Sequence, residues 1–352
     1  MLTERMTLTE FIISEQRRSS GATGALTALL NCIRLACKRI SWLVGEWAPG
    51  KGDAGEATQS MLDAVARETF RRTLSWSGSV AGMVCEEMEE PRCIIPAHPV
   101  GPYLVVFEPL VGFRDLDVNV DTGSIFSILR APEFVAQPTT ADFLRPGTRQ
   151  VAAGYALYGP ATLIVFTAGR GVNGFTLRRG FGEFFLTHPD LTIAPSTREL
   201  AVNTANARLW EPPVQRYVDE CLEGAAGPRG VDFGLRWVAS LVAGVHRVLL
   251  RGGVFIVPAE LRRGPPEGQL RLLFEANPMA MLVAQAGGAA STGRGPLLEV
   301  VPSTLHERSP MLLGAREEVE RLERYHREYD EGLDAEFFSP LFNERSLFPP
   351  RR

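Results

Sequence analysis

The chain has 352 residues, of which 45% are hydrophobic and 22% charged, a composition typical of globular proteins with room for two domains. Its formal net charge of -4 argues against an extended polyanion-binding face, so we expect no nucleic-acid partner. No segment approaches the ~20 consecutive apolar residues of a membrane-spanning helix, and we expect no membrane association. The first residues lack an apolar signal segment, and five cysteines without CxxC spacing indicate reduced thiols, so a cytoplasmic location is expected.

Helical signals come first along the chain. Thr7-Leu8-Thr9-Glu10 has the form of a capping box and predicts a helix start. Apolar residues then recur with the helical period over residues 26–44 and again over 58–75. The glycine-rich residues 47–57 between these two helices predict a loop.

Strand signals follow. Short β-branched and aromatic runs predict strands at 80–84, 103–107 and 124–129. We expect Glu108 to mark the end of the second of these strands, before a Pro-Leu turn. Four further strands with glycine punctuation form a predicted antiparallel meander, at residues 151–158, 161–168, 171–177 and 182–187.

The second half of the sequence alternates between helix and strand signals. Gly252 predicts a helix end, and Asn277-Pro278 predicts an N-cap followed by proline at the first helical position. The predicted helices are 213–221, 235–251, 279–286 and 316–329, and the predicted strands are 253–258 and 271–275.

Acidic residues follow several of the predicted strands. Glu86 and Glu87 follow one strand, Glu108 and Glu275 follow others, and Asp63 lies on a helix. Hard divalent cations such as Mg²⁺ require several oxygen ligands, so these carboxylates could converge on a metal site. The alternative, which spacing alone does not exclude, is a set of separate solvated carboxylates.

Six segments of the sequence carry a family resemblance. They are TLTEFI at 7–12, EPLVGFRDLDVNV at 108–120, GSIFSILRAP at 123–132, VAAGYALYGPAT at 151–162, GGVFIVPA at 252–259 and LRLLFEANPMA at 270–280. With these segments the chain resembles class 1 fructose-1,6-bisphosphatase, in particular the form found in bacteria that fix carbon through the Calvin cycle.

The resemblance implies an α+β fold with α/β/α/β/α layers, mixed sheets and two domains. Residues 1–190 would form the metal- and substrate-binding phosphatase domain, and residues 191–335 the sugar-phosphate-binding domain. The phenylalanine- and proline-rich tail, 336–352, is expected to be partly disordered. A homotetramer is also implied.

The resemblance also implies the roles of individual residues. Mg²⁺, or Mn²⁺ as the alternative ion, would be held by the side chains of Glu86, Glu87, Glu108 and Glu275 and by the carbonyl of Leu110. Asp63 and Glu87 would help to activate water. The sugar phosphate would contact Asn203, Arg236, Trp237, Gln269 and Arg271, with Arg236 reaching into a neighbouring subunit's site.

The sequence departs from the family at its signature, DPLDGSSN, which here reads EPLVGFRD. Glu108 is a methylene longer than the usual ligand, and Val111 cannot bind a cation through its side chain. Phe113 and Arg114 replace two serines. Further departures are Ser60-Met61 in place of a lysine pair, Glu56 or Ala57 at an acidic loop position, Val257 and Trp237 in place of tyrosines, and Gln269 in place of a basic residue.

Two functions follow from this combination. The first is hydrolysis of fructose 1,6-bisphosphate to fructose 6-phosphate and phosphate at a reduced rate. The second is an inactive paralogue that binds a sugar phosphate or regulates an active copy in a hetero-oligomer.

Arg114 raises a separate question. Its guanidinium could take the space of a missing metal beside Glu86, Glu87 and Glu108 and pair with those acids. Alternatively, its side chain points to solvent or contacts only Asp115. The sequence leaves both arrangements open.

Overall fold

The computed structural model describes residues 6–18, 24–46, 53–93, 101–133, 137–261 and 268–333. The α-helices in these ranges are α1 (Leu8–Arg18), α2 (Ala25–Glu46), α3 (Asp53–Ser75), α4 (Thr140–Phe143), α5 (Pro212–Glu223), α6 (Leu241–Arg251), α7 (Asn277–Gln285) and α8 (Arg316–Asp330). No described helix is long and apolar enough to cross a lipid bilayer.

The first sheet has eight strands in the order β2-β1-β3-β4-β5-β6-β7-β8, and only β1 and β3 pair in parallel. Its strands are β1 (Val80–Cys85), β2 (Arg92–Cys93), β3 (Tyr103–Val111), β4 (Thr122–Arg130), β5 (Gln150–Tyr158), β6 (Thr162–Thr167), β7 (Asn173–Arg178) and β8 (Glu183–His188).

A second, mixed sheet has the order β10-β9-β11-β15-β13, and a two-stranded sheet pairs β12 with β14. These strands are β9 (Glu199–Val202), β10 (Gly234–Leu235), β11 (Val254–Val257), β12 (Leu270–Arg271), β13 (Ala289–Ser291), β14 (Arg308–Ser309) and β15 (Met311–Gly314).

The helices and the two larger sheets form five layers. Helices α1, α2 and α3 cover the outer face of the first sheet, and α6 and α7 contact strands of both sheets. Helices α5 and α8 pack together, and α8 contacts β13 and β15 on the far side of the second sheet. The predicted α+β fold with α/β/α/β/α layers is therefore confirmed, whereas the division into domains at residue 190 stays a prediction.

Local sequence signals place most of the elements. In the capping box the Thr7 amide donates to Glu10 Oε2 at 2.8 Å, and the Glu10 amide donates to Thr7 Oγ1 at 3.2 Å. Gly252 ends α6 with φ of 75°, which glycine adopts without steric cost. Strands β5 to β8 form the predicted antiparallel meander.

Two predictions on the second half are wrong. The predicted strand 271–275 is strand only over β12, because a π-helical turn, Leu272–Ala276, follows and runs directly into α7. Its apolar residues are buried on all sides, and such a run does not distinguish strand from helix. Asn277 is already helical and is not an N-cap, since the turn supplies the preceding residues.

The other corrections concern element ends. Helix α6 begins at Leu241, not at residue 235, and Ser240 caps it by accepting a hydrogen bond from the Ala243 amide at 3.3 Å. Helix α3 begins at Asp53, inside the predicted loop 47–57, and residues 47–52 lie outside the described residues, as do the side chains of Glu56 and Ala57 and the tail 336–352.

Two stacked phenylalanine rings join α3 to β3. The Phe70 and Phe107 rings stack at 5.0 Å between centroids, and both side chains are fully buried. We expect Phe107→Ala to lower the free energy of unfolding by about 3–5 kcal/mol, because it leaves a cavity behind the strand that carries Glu108. Denaturant titration measures this. The control is Phe181→Ala, since Phe181 is 72% exposed and its truncation should leave stability nearly unchanged; equal effects of the two variants would contradict the prediction.

Candidate active site

The site is built around Glu108 in β3. This strand does not end at Glu108, as the sequence suggested, but continues to Val111. Glu108 pairs with Ile125 and Val111 pairs with Gly123, so two residues, Pro109 and Leu110, bulge opposite one. The bulge tolerates a proline, which cannot donate to the ladder. It also takes the Leu110 carbonyl, a predicted metal ligand, out of the regular register.

The Glu108 side chain is only 8% exposed. Its Oε2 atom has no hydrogen-bond partner among the described residues. A buried carboxylate oxygen in this state either carries a proton or needs a cation nearby. Glu108 is therefore the residue in this site that most requires a partner.

Helix α3 brings Asp63 to the same place. Ala66, Phe70 and Leu74 are fully buried and attach this face of the helix to the sheet. Asp63 lies one turn before Ala66 and is 6% exposed. Its Oδ1 atom also lacks a hydrogen-bond partner within the part of the chain that the structure describes.

Glu86 and Glu87 leave the end of β1 in a tight turn. The Met88 amide closes this turn by donating to the Cys85 carbonyl at 3.0 Å. Glu86 is half-buried and Glu87 is exposed. Because β1 and β3 are parallel neighbours, their acids reach the same edge of the sheet.

Glu275 enters from the π-helical turn that the sequence did not reveal. Its Oε2 atom accepts a hydrogen bond from the Arg271 amide at 2.7 Å. Single π-helical turns are frequent at functional sites. Here the turn carries Glu275 from the second half of the chain toward Glu108.

Burial and the charges of neighbouring acids raise the pKa of three of these acids. Burial raises the pKa of Glu108 well above its ordinary value, and the charges of Glu275, Glu86, Glu87 and Asp63 raise it further. Burial, followed by the charge of Glu87, raises the pKa of Asp63 to about 7. Burial likewise raises the pKa of Glu275 to about 7, although its hydrogen bond from Arg271 acts in the opposite direction. The structure therefore brings the five predicted acids together.

Two arginines lie among these acids. Arg67 Nη2 lies 3.9 Å from Asp63 Oδ2, and Arg67 Nη1 lies 3.7 Å from Glu87 Oε2. Arg271 Nε donates to Glu86 Oε1 at 3.1 Å, and Arg271 Nη1 donates to the His306 carbonyl at 2.9 Å. Arg271, predicted to contact the sugar phosphate, thus has its guanidinium engaged by a predicted metal ligand.

Arg114 does not join this cluster. Its side chain is exposed, and its guanidinium carbon lies 6.0 Å from the centre of the Phe113 ring. The backbone is held instead, because Gln59 Nε2 donates to the Arg114 carbonyl at 3.1 Å. Of the two arrangements that the sequence left open, the structure has the solvent-facing one.

The ligand chemistry of the cluster fits a divalent cation. The described side chains include no three acids, histidines or cysteines already gathered in a metal-holding arrangement. However, two buried oxygens, Asp63 Oδ1 and Glu108 Oε2, lack partners, and the mutual repulsion of the acids favours a positive charge between them. Val111 is 7% exposed and contributes no ligand, and its carbonyl accepts a hydrogen bond from Thr122 Oγ1.

Part of the predicted sugar-phosphate site lies after β9 and β11. Gln269 Nε2 donates to Glu260 Oε1 at 2.9 Å, and Asn206 Nδ2 donates to the same oxygen at 2.7 Å. Asn203 lies at the end of β9 and accepts a hydrogen bond from the Ala205 amide at 3.3 Å. The Asn206 amide also donates to the Asn203 carbonyl at 3.1 Å, so hydrogen bonds through Asn206 and the buried Glu260 link Asn203 to Gln269.

Two further predicted sugar-phosphate residues, Arg236 and Trp237, precede α6. Arg236 is exposed, and its Nη1 donates to the Leu235 carbonyl at 3.0 Å. The Trp237 ring stacks on Phe255 at 5.6 Å. These contacts hold both residues at the surface of the second sheet. Among the residues that the structure describes, no hydrogen bond or ring contact joins them to Gln269.

Sequence reasoning missed two residues of the site. Arg67 is four residues after Asp63 on α3, a spacing that places both on one helix face and could have indicated the ion pair. Glu260 follows β11 by three residues and pairs with Trp210 in an isolated β-bridge. No periodicity in the sequence indicates that its carboxylate turns inward.

Comparison with known proteins gives concordant results. The family "Fructose-1-6-bisphosphatase, N-terminal domain" matches residues 6–189, and its C-terminal domain family matches residues 193–327. The chain is 53% identical to fructose-1,6-bisphosphatase class 1 of Hydrogenophilus thermoluteolus, covering 97% of each chain. It is 49% identical to fructose-1,6-bisphosphatase class 1 of Methylacidiphilum infernorum, covering 98% of each.

Solved structures show the same similarity. The crystal structure of Leishmania major fructose-1,6-bisphosphatase in holo form superimposes with a TM-score of 0.82 at 35% sequence identity, covering 91% of this chain and 99% of that chain. The apo form of that protein gives the same TM-score. Matches over both halves of the sequence, together with the layered fold and the acid cluster, show that the chain belongs to the fructose-1,6-bisphosphatase family.

Proposed function

We propose that this chain hydrolyses the 1-phosphate of fructose 1,6-bisphosphate, giving fructose 6-phosphate and phosphate, at a reduced rate. The observation that carries the proposal is Glu108 Oε2, a buried oxygen with no hydrogen-bond partner among the described residues, in a carboxyl group whose pKa is raised by burial and by the charges of four further acids. Relatives at 53% and 49% identity bear the name of this activity.

The acids divide into two roles. Glu86, Glu87, Glu108 and Glu275, with the Leu110 carbonyl, would hold Mg²⁺ or Mn²⁺, which when bound neutralises charge on the phosphoryl group. Asp63 and Glu87 orient a water molecule and accept its proton. The water oxygen forms a bond to phosphorus while the bond from phosphorus to the sugar oxygen breaks. A pKa of about 7 suits Asp63 to proton transfer near neutral pH.

In this proposal the second half of the chain binds the sugar phosphate. The residues that contact it are Asn203, Arg236, Trp237, Gln269 and Arg271. Gln269 donates a hydrogen bond to Glu260, and the half-buried Arg271 donates one to Glu86 of the first half of the chain.

The reduced rate follows from what the site lacks. Val111 supplies no carboxylate, and Gln269 and Val257 supply neither the positive charge nor the phenol of the family pattern. Loss of one preorganised charged group commonly lowers kcat by roughly 10²–10³. Several such losses act on one reaction and do not simply add.

A second function is favoured by one observation, the pairing of acids with arginines. Because Arg67 and Arg271 lie beside three of the acids, the cluster has positive partners within its own chain. An inactive paralogue that binds a sugar phosphate, or regulates an active copy in a hetero-oligomer, has no need of a tight metal site.

We also propose a homotetramer in the cytoplasm. The exposed apolar side chains of Trp237 and Val238, 37% and 41% exposed, beside Arg236 support contact with another subunit. Free thiols at the four cysteines whose side chains are described support a reducing compartment.

Phosphate release from fructose 1,6-bisphosphate tests the proposal. We expect slow release with Mg²⁺ or Mn²⁺ and a rise of kcat/KM by roughly 10²-fold in Val111→Asp, because the new carboxylate restores a metal ligand. The matched control is Val118→Asp, which adds the same charge at a side chain that is 67% exposed. Release at the detection limit in both the unmodified chain and Val111→Asp would favour the inactive paralogue.

The acid cluster also predicts how stability depends on pH. Folding raises the pKa of Asp63 and of Glu275 to about 7, so between about pH 4 and pH 7 the folded protein binds more protons than the unfolded chain. The stability that these groups contribute is therefore present at low pH and is lost as pH rises through about 7. Thermal unfolding in EDTA should give a lower Tm at pH 8 than at pH 6.

The control for this experiment is Asp63→Asn, which removes one titrating group. Its Tm should fall less between pH 6 and pH 8 than that of the unmodified protein. A Tm that rises over this interval, or an identical fall in the variant, would contradict the prediction.

A further inference from the structure

Arg67 places a positive charge beside two of the acids, although the family resemblance assigns no role to this residue. It follows Asp63 by one helical turn on α3, and its side chain is 31% exposed. Its two terminal nitrogens face different carboxylates, Asp63 at 3.9 Å and Glu87 at 3.7 Å. One guanidinium therefore spans acids that come from a helix and from the end of a strand.

The packing of α3 keeps Arg67 in this position. Ala66 and Phe70, on either side of it, are fully buried, and Phe70 stacks on Phe107 of β3. The helix cannot rotate without separating these rings. Arg67 can leave the acids only by changing its own side-chain conformation toward solvent.

The contacts are longer than direct hydrogen bonds, so Arg67 acts through its charge. Two buried oxygens near it, Asp63 Oδ1 and Glu108 Oε2, have no hydrogen-bond partner in the part of the chain that the structure describes. Arg271 faces Glu86 on the other side. The two arginines therefore compensate part of the negative charge of the acids, and the remaining charge still attracts a further cation.

We propose that Arg67 is a tethered counter-cation, which holds Asp63 and Glu87 in the metal-free protein and opposes the binding of a divalent metal ion at Glu87 and the neighbouring acids. This inference rests on the proposed function only in taking these acids as the place where metal binds. It predicts that a cation present in the chain, as well as the ligand absent at Val111, weakens metal binding.

The test is Mn²⁺ binding by calorimetry without any sugar phosphate. Arg67→Gln removes the charge and keeps a polar side chain, and we expect its Kd for Mn²⁺ to fall by roughly tenfold, because a cation within about 4 Å of two carboxylates no longer opposes the ion. Arg67→Lys should bind Mn²⁺ like the unmodified chain. The metal-free Tm of Arg67→Gln should fall, and saturating Mn²⁺ should raise it by more than in the unmodified chain.

The matched control is Arg71→Gln. Arg71 lies one turn further along α3 and pairs with Glu68 on the helix surface, so its removal changes the same net charge away from the cluster. If Arg67→Gln binds Mn²⁺ no more tightly than Arg71→Gln, or if neither binds it, the proposal is overturned.

Should Arg67→Gln fail to fold, the double variant Asp63→Asn with Arg67→Gln decides the question. A double variant that folds with the metal-free Tm of Asp63→Asn alone would support charge pairing, and a double variant that also fails to fold would refute it. Failure of phosphate release would not affect these outcomes, since no substrate is present. The two proposals can therefore fail separately.

Discussion

A carboxylate that cannot reach water is the constraint on which the centre of this protein depends. Glu108 lies within a buried strand, and four other acids act on its pKa. Transfer of one ion from water to the protein interior costs several kcal/mol of free energy. A buried acid is therefore either protonated or compensated by a positive charge. Protons, arginines and a divalent cation are the three means of compensation open to this cluster, and any one of them weakens the need for the others.

The fold makes this constraint unavoidable. Strand β3 lies in the interior of the larger sheet between β1 and β4, with α3 against one face. The Phe70–Phe107 stack fixes helix and strand together, so Asp63 and Glu108 are held by the same packing. The π-helical turn adds Glu275 from the other half of the chain. Because these positions follow from the packing of the core, the acids stay close even in the absence of a bound cation.

Local signals in the sequence predicted most of the fold, whereas the chemistry of the site required contacts between distant segments. The capping box and the meander each depend on neighbouring residues, so periodicity and turn chemistry were sufficient. The π-helical turn was missed because an apolar run that is buried on all sides reads equally as strand or helix. The strand-end pattern indicated the acids and the resemblance implied their roles, whereas the hypothesis on Arg114 came from a departure inside the signature. The arginines that contact the acids are Arg67 and Arg271, both outside the signature.

The arginine pairs bear on catalysis as well as on folding. Phosphoryl transfer is accelerated only by interactions that are stronger in the transition state than in the ground state. An arginine that already neutralises Asp63 and Glu87 stabilises the ground state, and it must be displaced before those carboxylates can hold metal or accept a proton. If Arg67 opposes metal binding as proposed, compensation within the chain lowers the metal affinity and the rate together. In that case, the pairing that compensates the acids in the metal-free protein also opposes turnover.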